Sequence, residues 1–280
     1  DDVVTRAAAP DPNPGAVLDG GAYDMSVVVG ASGEDDVATL NLNDVSADGF
    51  TLYTAPEVET IQDAQNSSEI AAFKRAGNFS QASRIASGDY LYHELLLGGI
   101  GGMFASAGDV SDGTALETLL NDKQFALNMT IVETDASVGA NTDPKVLLNT
   151  TDSANSNVGG TDDTDLDALE DDKGAFHVIA DGANDTYYIG FPVSVGDDTS
   201  GATIADGDEF EVTLTLTNST AQGLVDETVS VSQTFTVENR SVELDSNADD
   251  ADGADIVEVE AASGQLVSGT TSLAPGSSSR

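Results

Sequence analysis

The chain has no cysteine and no tryptophan, and its 280 residues include only nine basic side chains, two histidines and three methionines. Without cysteine there is no disulfide, no thiol nucleophile and no thiolate metal site. A common marker of secretion is therefore missing, which does not argue against secretion. Long apolar runs are missing too. The longest, Leu95–Ala107 (LLLGGIGGMFASA), is too short and too rich in glycine to cross a bilayer. It reads as a buried strand followed by a tight glycine turn, with a short membrane-inserting peptide as the alternative. Aromatic residues make up 5% of the chain, which weakens any sugar-stacking platform. No signal peptide is present, and Asp1 fits a mature N-terminus left after signal removal.

What the chain has is acid. Fifty Asp and Glu stand against nine Lys and Arg, a net charge of −41. In dilute buffer such an excess strains the folded state by self-repulsion. In molar salt the Debye length falls to about 3 Å and the repulsion is screened. Only four of the basic residues are lysines, so long apolar stems are few. The composition is that of a protein adapted to brine. Nucleic acid is excluded as a partner because this field repels phosphates, and an anionic membrane is disfavoured for the same reason. With 39% hydrophobic residues and clear period-2 segments, the chain is not an acidic disordered protein.

Residues 1–15 read as a flexible lead-in. Tyr23–Val29, Val37–Leu42 and Gly49–Thr54 read as short strands divided by turn-rich stretches. Residues 68–76 (SEIAAFKRA) predict a helix with Ser68 as N-cap. Tyr90–Leu97 reads as a strand and 113–121 as a short helix. Gln124–Glu133 is the clearest strand, with Phe125, Leu127, Met129 and Ile131 facing one way and Asn128 and Thr130 the other. After an acidic loop at 151–172, a hairpin is expected from Phe176–Ala180 and Thr186–Val195. Glu209–Thr217 and Val229–Val237 alternate cleanly, and Val242–Leu244, Ile256–Glu260 and Leu266–Ser268 are shorter candidates. The pattern predicts a mainly β protein: an antiparallel, immunoglobulin-like β-sandwich with short helical insertions. A smaller β-rich module with a helical segment is expected over 16–78 and the sandwich over 79–280, with one continuous domain as the alternative.

Seven Asn-x-Ser/Thr sequons occur, at Asn66, Asn78, Asn128, Asn149, Asn184, Asn218 and Asn239. Asn128 falls on the outward face of its strand, and Asn184 and Asn218 fall in turns, where a glycosyltransferase can reach them. Acidic clusters are the next candidates. Asp162, Asp163, Asp165, Asp167, Glu170, Asp171 and Asp172 share one loop, and Asp245, Asp249, Asp250, Asp252 and Asp255 another. Oxygen-rich loops suit Ca²⁺ or Mg²⁺. The second cluster lacks the register of a calcium loop, so the choice is between solvated carboxylates and loose divalent binding. His93 and His177 each lie inside a predicted strand, where a lone histidine is a packed or edge residue rather than a base. The signatures GxSxG, HExxH, the P-loop and GxGxxG are all missing. Nothing in the chain predicts an enzyme or a dedicated cofactor.

Seven segments occur in an order that resembles the β-rich domain of haloarchaeal surface glycoproteins, the group related to S-layer proteins. They are Phe79–Ser83 (FSQAS), Gly88–Tyr90 (GDY), Leu127–Thr134 (LNMTIVET), Asp185–Tyr188 (DTYY), Gly207–Phe210 (GDEF), Val237–Val242 (VENRSV) and Ser268–Gly276 (SGTTSLAPG). The resemblance covers residues 79–276. It implies a secreted, N-glycosylated, extracellular protein that builds a surface layer or filament with copies of itself. Members of that family often continue past the A-P-G element to a stalk and anchor. This chain stops at Arg280, so attachment through neighbouring copies is expected, with edge strands as contacts and residues 1–15 as a conceivable donor segment. An adhesin for cells or glycans is the alternative.

Overall fold

The computed structural model describes residues 21–29, 34–57, 61, 63–101, 104, 114–121, 127–134, 144–150, 177–181, 184–193, 195, 198–199, 202–217, 225, 227–246, 248–249 and 255–277. Two five-stranded sheets face each other. Sheet I has the order β4-β3-β6-β10-β9, built from β3 (Ser46–Ala55), β4 (Ser80–Gln81), β6 (Tyr90–Gly98), β9 (His177–Asp181) and β10 (Thr186–Pro192). Sheet II has the order β5-β14-β13-β7-β8, built from β5 (Arg84–Ala86), β7 (Leu127–Glu133), β8 (Val146–Asn149), β13 (Glu209–Leu216) and β14 (Val229–Glu238). Pairing is antiparallel except between β5 and β14.

Alternation decides which side of each strand meets the core. In β13, Phe210, Val212, Leu214 and Leu216 are buried, and Glu211, Thr213 and Thr215 are half-exposed. In β7, Leu127, Met129 and Ile131 point inward as expected. From sheet I, Leu52, Leu91, Leu95, Tyr187, Ile189 and Phe191 meet them in one apolar core. Helix α2 (Thr114–Asn121) adds Leu116, Leu119 and Leu120 to that core.

Sheet I is buried on its other side as well. Helix α1 (Ser67–Ala76) and the segment before it bring Ile61, Ala64 and Ile70 against Tyr90, Tyr92, Ile179 and Tyr188. This second core explains why Tyr90–Leu97 reads as an almost unbroken apolar run: both faces of β6 are covered. It also explains Gly190. The buried Tyr92 ring lies across this glycine, and a Cβ there would sit 2.2 Å from a ring carbon. The division expected near residue 78 thus runs through a sheet, because β3, from the 16–78 segment, is paired with β6, from the 79–280 segment, along its whole length.

Four smaller ladders complete the described strands. β1 (Gly21–Val29) and β2 (Glu34–Leu42) form a hairpin, and β11 (Asp198–Thr199) pairs with β12 (Ala202–Thr203). β15 (Val242–Leu244) pairs with β18 (Gly269–Thr271), and β16 (Ala248–Asp249) with β17 (Asp255–Ile256). Two expected strands shift. Leu266–Ser268 is not a strand, and pairing begins at Gly269 instead; of Ile256–Glu260 only Ile256 is paired. Both segments lie on the surface, where Leu266 is 85% exposed and no core face fixes a register. Of the apolar run 95–107, residues 95–98 end strand β6 and Gly99 forms a turn, while residues 102, 103 and 105–107 lie outside the described residues. Among the described residues, no helix is long and apolar enough to cross a membrane.

Candidate functional site

The helix cap differs from the sequence expectation. Asn66, not Ser68, caps α1: its side-chain oxygen accepts from the Glu69 amide at 3.1 Å, while Glu69 reaches back to the Gln65 amide. Asn66 is also a sequon asparagine. An N-linked glycan is attached through the side-chain nitrogen, so the capping oxygen stays available and the two roles are compatible.

Six of the seven sequon asparagines lie among the described residues, and the fold brings them together in groups. Ser67, the middle residue of the Asn66 sequon, and Asn184 meet at one carboxylate: Asp181 accepts from the Ser67 hydroxyl at 2.6 Å and from the Asn184 amide nitrogen at 2.9 Å. Asn66 and Asn184 are both exposed, and Asn184 occupies the β9–β10 turn, followed by Asp185 at φ 51. Asn128 and Asn149 share the β7–β8 ladder: Asn149 is the direct partner of Thr130, the hydroxyl residue of the Asn128 sequon. Asn78 and Asn239 both touch the segment 269–277. The Asn78 side chain lies against Gly276, and the Asn239 carbonyl accepts from Ser272. Asn78, Asn128 and Asn149 are half-buried and Asn239 is exposed. Asn218 lies outside the described residues. Sequence position gave no sign of these groupings, and nothing in the local pattern marks Asp181 as their hinge.

The segment 269–277 is held by a residue that the site reading missed. Asp89 is fully buried and accepts from the Ala274 amide at 2.7 Å, the Ser277 hydroxyl at 3.3 Å and the Arg240 guanidinium at 3.5 Å. Burial pushes its carboxyl above the ordinary range, and the Ala274, Arg240 and Ser277 contacts pull the other way without cancelling that rise. Arg240 also donates to the Ser87 carbonyl. Gly88 leaves room for this, since a Cβ there would sit 2.7 Å from the guanidinium, and its φ of 82 favours glycine anyway. Three of the ordered sequence segments, GDY, VENRSV and SGTTSLAPG, therefore meet at one buried carboxylate. Their recurrence as motifs was the available signal.

Among the described residues, Lys74, Arg84, Lys145 and Arg240 each link separate segments of the fold. Lys74 projects from α1 onto the outer face of sheet I, 2.7 Å from Glu94 and over the rings of Tyr53 and Tyr188 at 4.1 and 4.8 Å. Tyr188 and Tyr53 donate to the same Glu94 at 2.6 and 2.9 Å. Burial alone would raise the Glu94 carboxyl, but the bonds from Lys74, Tyr188 and Tyr53 outweigh it and hold it below its ordinary value. Lys145 lies between Glu133 and Asp208, and Arg84 pairs with Glu238.

The histidines have packed roles. His93 is 1% exposed, between the rings of Phe50 and Phe191 at 5.0 and 5.1 Å, and its Nδ1 donates to the Ile189 carbonyl at 3.3 Å. Burial holds its pKa down to about 3. His177 Nε2 donates to the Ala64 carbonyl at 2.9 Å, which leaves Nδ1 to accept from the Tyr92 hydroxyl at 2.7 Å. His93 is thus held by ring packing, and His177 by its bonds to a main-chain carbonyl and a tyrosine hydroxyl. Of the acidic candidates, Asp162, Asp163, Asp165, Asp167, Glu170, Asp171, Asp172, Asp250 and Asp252 lie outside the described residues. Asp249 is placed by its backbone, opposite Asp255 in the β16–β17 ladder. Among the described residues, no three His, Cys, Asp or Glu side chains cluster as a metal site.

No protein-family model matches the chain. It is 31% identical over 278 residues to Cell surface glycoprotein 2 of Haloarcula hispanica, an alignment covering 93% of this chain and 27% of that protein. Cell surface glycoprotein 1 of the same organism is 30% identical over 275 residues, covering 94% of this chain and 27% of that protein. The Cell surface glycoprotein of Haloferax gibbonsii is 30% identical over 275 residues, covering 94% of this chain and 26% of that protein. The chain thus spans about a quarter of the length of these curated relatives.

Proposed function

We propose, from the chain's membership of the haloarchaeal cell surface glycoprotein family, that it is a non-catalytic structural module of an extracellular surface protein that self-assembles into a layer or filament. The observation that carries the reading is the similarity along almost the whole chain to proteins named cell surface glycoproteins. The site geometry supports it. Among the described residues, His93 is packed between rings, Lys74, Lys145 and Arg240 tie separate segments together, and the exposed sequon asparagines Asn66, Asn184 and Asn239 flank helices or strands. On this reading N-linked glycans occupy some of the sequons. Carboxylates keep the surface hydrated in brine, and Ca²⁺ or Mg²⁺ held loosely by the acidic loops bridges subunits that meet along strand edges.

Electron microscopy of the purified protein in molar salt tests the assembly. Regular sheets or filaments are expected. Monodisperse particles at every protein and divalent-cation concentration would defeat self-assembly, and binding of such monomers to cells would point to an adhesin.

A further inference from the structure

We propose that the outer face of sheet II is a glycan shelf, on which oligosaccharides attached to Asn128 and Asn149 lie across a ladder of hydroxyl side chains. The proposal rests on the glycoprotein reading above and adds where the sugar goes and what it does there.

The two sheets differ in how their outer faces are used. Sheet I is covered by α1 and carries a second apolar core. Among the described residues no helix or apolar cluster packs on the outward residues of sheet II, which are half-exposed or exposed along β7, β13 and β14. The register defines that face. Asn128 stands opposite Thr215, and Thr215 opposite Ser230. One rung further, Asn149 stands opposite Thr130, Thr130 opposite Thr213, and Thr213 opposite Ser232. Direct partners lie about 5 Å apart and diagonal ones about 7–8 Å, so the two asparagines are diagonal neighbours on one surface. One hydroxyl pair on this face is linked, Thr215 to Ser230 at 3.0 Å.

Two features select a sugar as the occupant. These two rungs carry no charged side chain, in a chain with fifty carboxylates. A neutral, flat array of hydroxyl and amide groups matches the hydroxyls of an oligosaccharide in hydrogen-bonding capacity and presents no like charge to it. The second feature is the pair of acceptor asparagines on the face itself, which delivers the sugar at an effective concentration that no free ligand reaches. A glycan lying on these rungs exchanges water-bound hydroxyls for protein-bound ones and ties edge strand β8 to β7 and β13.

The test uses the full protein from its halophilic host. Glycopeptide mass spectrometry is expected to find sugar on both Asn128 and Asn149. In molar salt, N128Q/N149Q is expected to lower the melting temperature by about 2–4 °C, the shift for one modest interaction in a protein of this size. The variant Thr213→Val/Ser232→Val keeps β propensity and removes two shelf hydroxyls. It is expected to cost a similar amount in the glycosylated protein and under about 1 °C on top of N128Q/N149Q. If the double asparagine variant fails to fold, N149Q at the sheet edge repeats the comparison alone. Additive losses would overturn the shelf, as would an oligomer that dissociates on Thr213→Val/Ser232→Val whether or not sugar is present. Bare Asn128 and Asn149 with sugar on Asn66, Asn184 or Asn239 would overturn the shelf and leave the glycoprotein reading intact. Sugar on no sequon would overturn both.

Discussion

Lowering the pH from 7 to 3 at constant molar salt is expected to destabilise the protein through His93, and His93→Leu is expected to remove most of that loss. His93 is completely buried between Phe50 and Phe191, and its folded pKa is held down to about 3. In the unfolded chain the ring titrates near its ordinary value of about 6.5. Above that pH the ring is neutral in both states and contributes no pH dependence. As pH falls through the window from about 6.5 to about 3, the unfolded state takes up the proton and the folded state does not, so stability is lost across the window. The difference corresponds to a loss of roughly 4–5 kcal/mol. Two carboxyls overlap the lower part of the window with opposite signs. Glu94, with its pKa lowered, contributes stability that is lost as pH falls through its folded value. Asp89, with its pKa raised, gains relative stability in acid and loses it as pH rises through its folded value. Thermal unfolding of wild type and His93→Leu across this range separates the ring from both. Parallel curves for the two proteins would show that His93 is not the acid-sensitive group.

Asp89→Ala is expected to cost about 2–4 kcal/mol, because it removes the acceptor for the Ala274 amide and for Arg240 while leaving the amide buried. Asp89→Asn keeps an acceptor and should cost less. The loss should be local first. The segment 269–277 should become open to protease while the sandwich core still unfolds cooperatively. Unchanged stability and unchanged proteolysis in Asp89→Ala would mean that this segment is held by other contacts, such as the β15–β18 ladder.

These residues also show what could be read in the sequence. The strands β7, β13 and β14 were legible because each has one wet face and one buried face, so the period of two survives in the residue pattern. Helix α1 was legible through its length and composition, but its cap was placed two residues late. Ser67, Ser68 and Asn66 are all acceptable caps, and only the fold shows which side chain reaches Glu69. The short strands β4, β5 and β8 were invisible because two to four residues carry no periodicity. They are strands only because long neighbours pair with them. The sequons could be found, but not their grouping. Ser67, next to Asn66, is brought to Asn184 by Asp181, and Asn128 and Asn149 are brought together by register, both long-range consequences of topology. Asp89 could be found only as part of a recurring motif. With fifty acidic residues, one buried carboxylate has no local signature.

The central claim is that this chain faces the outside of the cell and carries sugar. Treating intact cells in molar salt with a protease that cuts after glutamate is the direct measurement, since acidic sites are plentiful and basic ones scarce. The account predicts that peptides of this chain are released from unbroken cells, with glycan on Asn66, Asn184 or Asn239. Peptides that emerge only after lysis, with these asparagines unmodified, would contradict it.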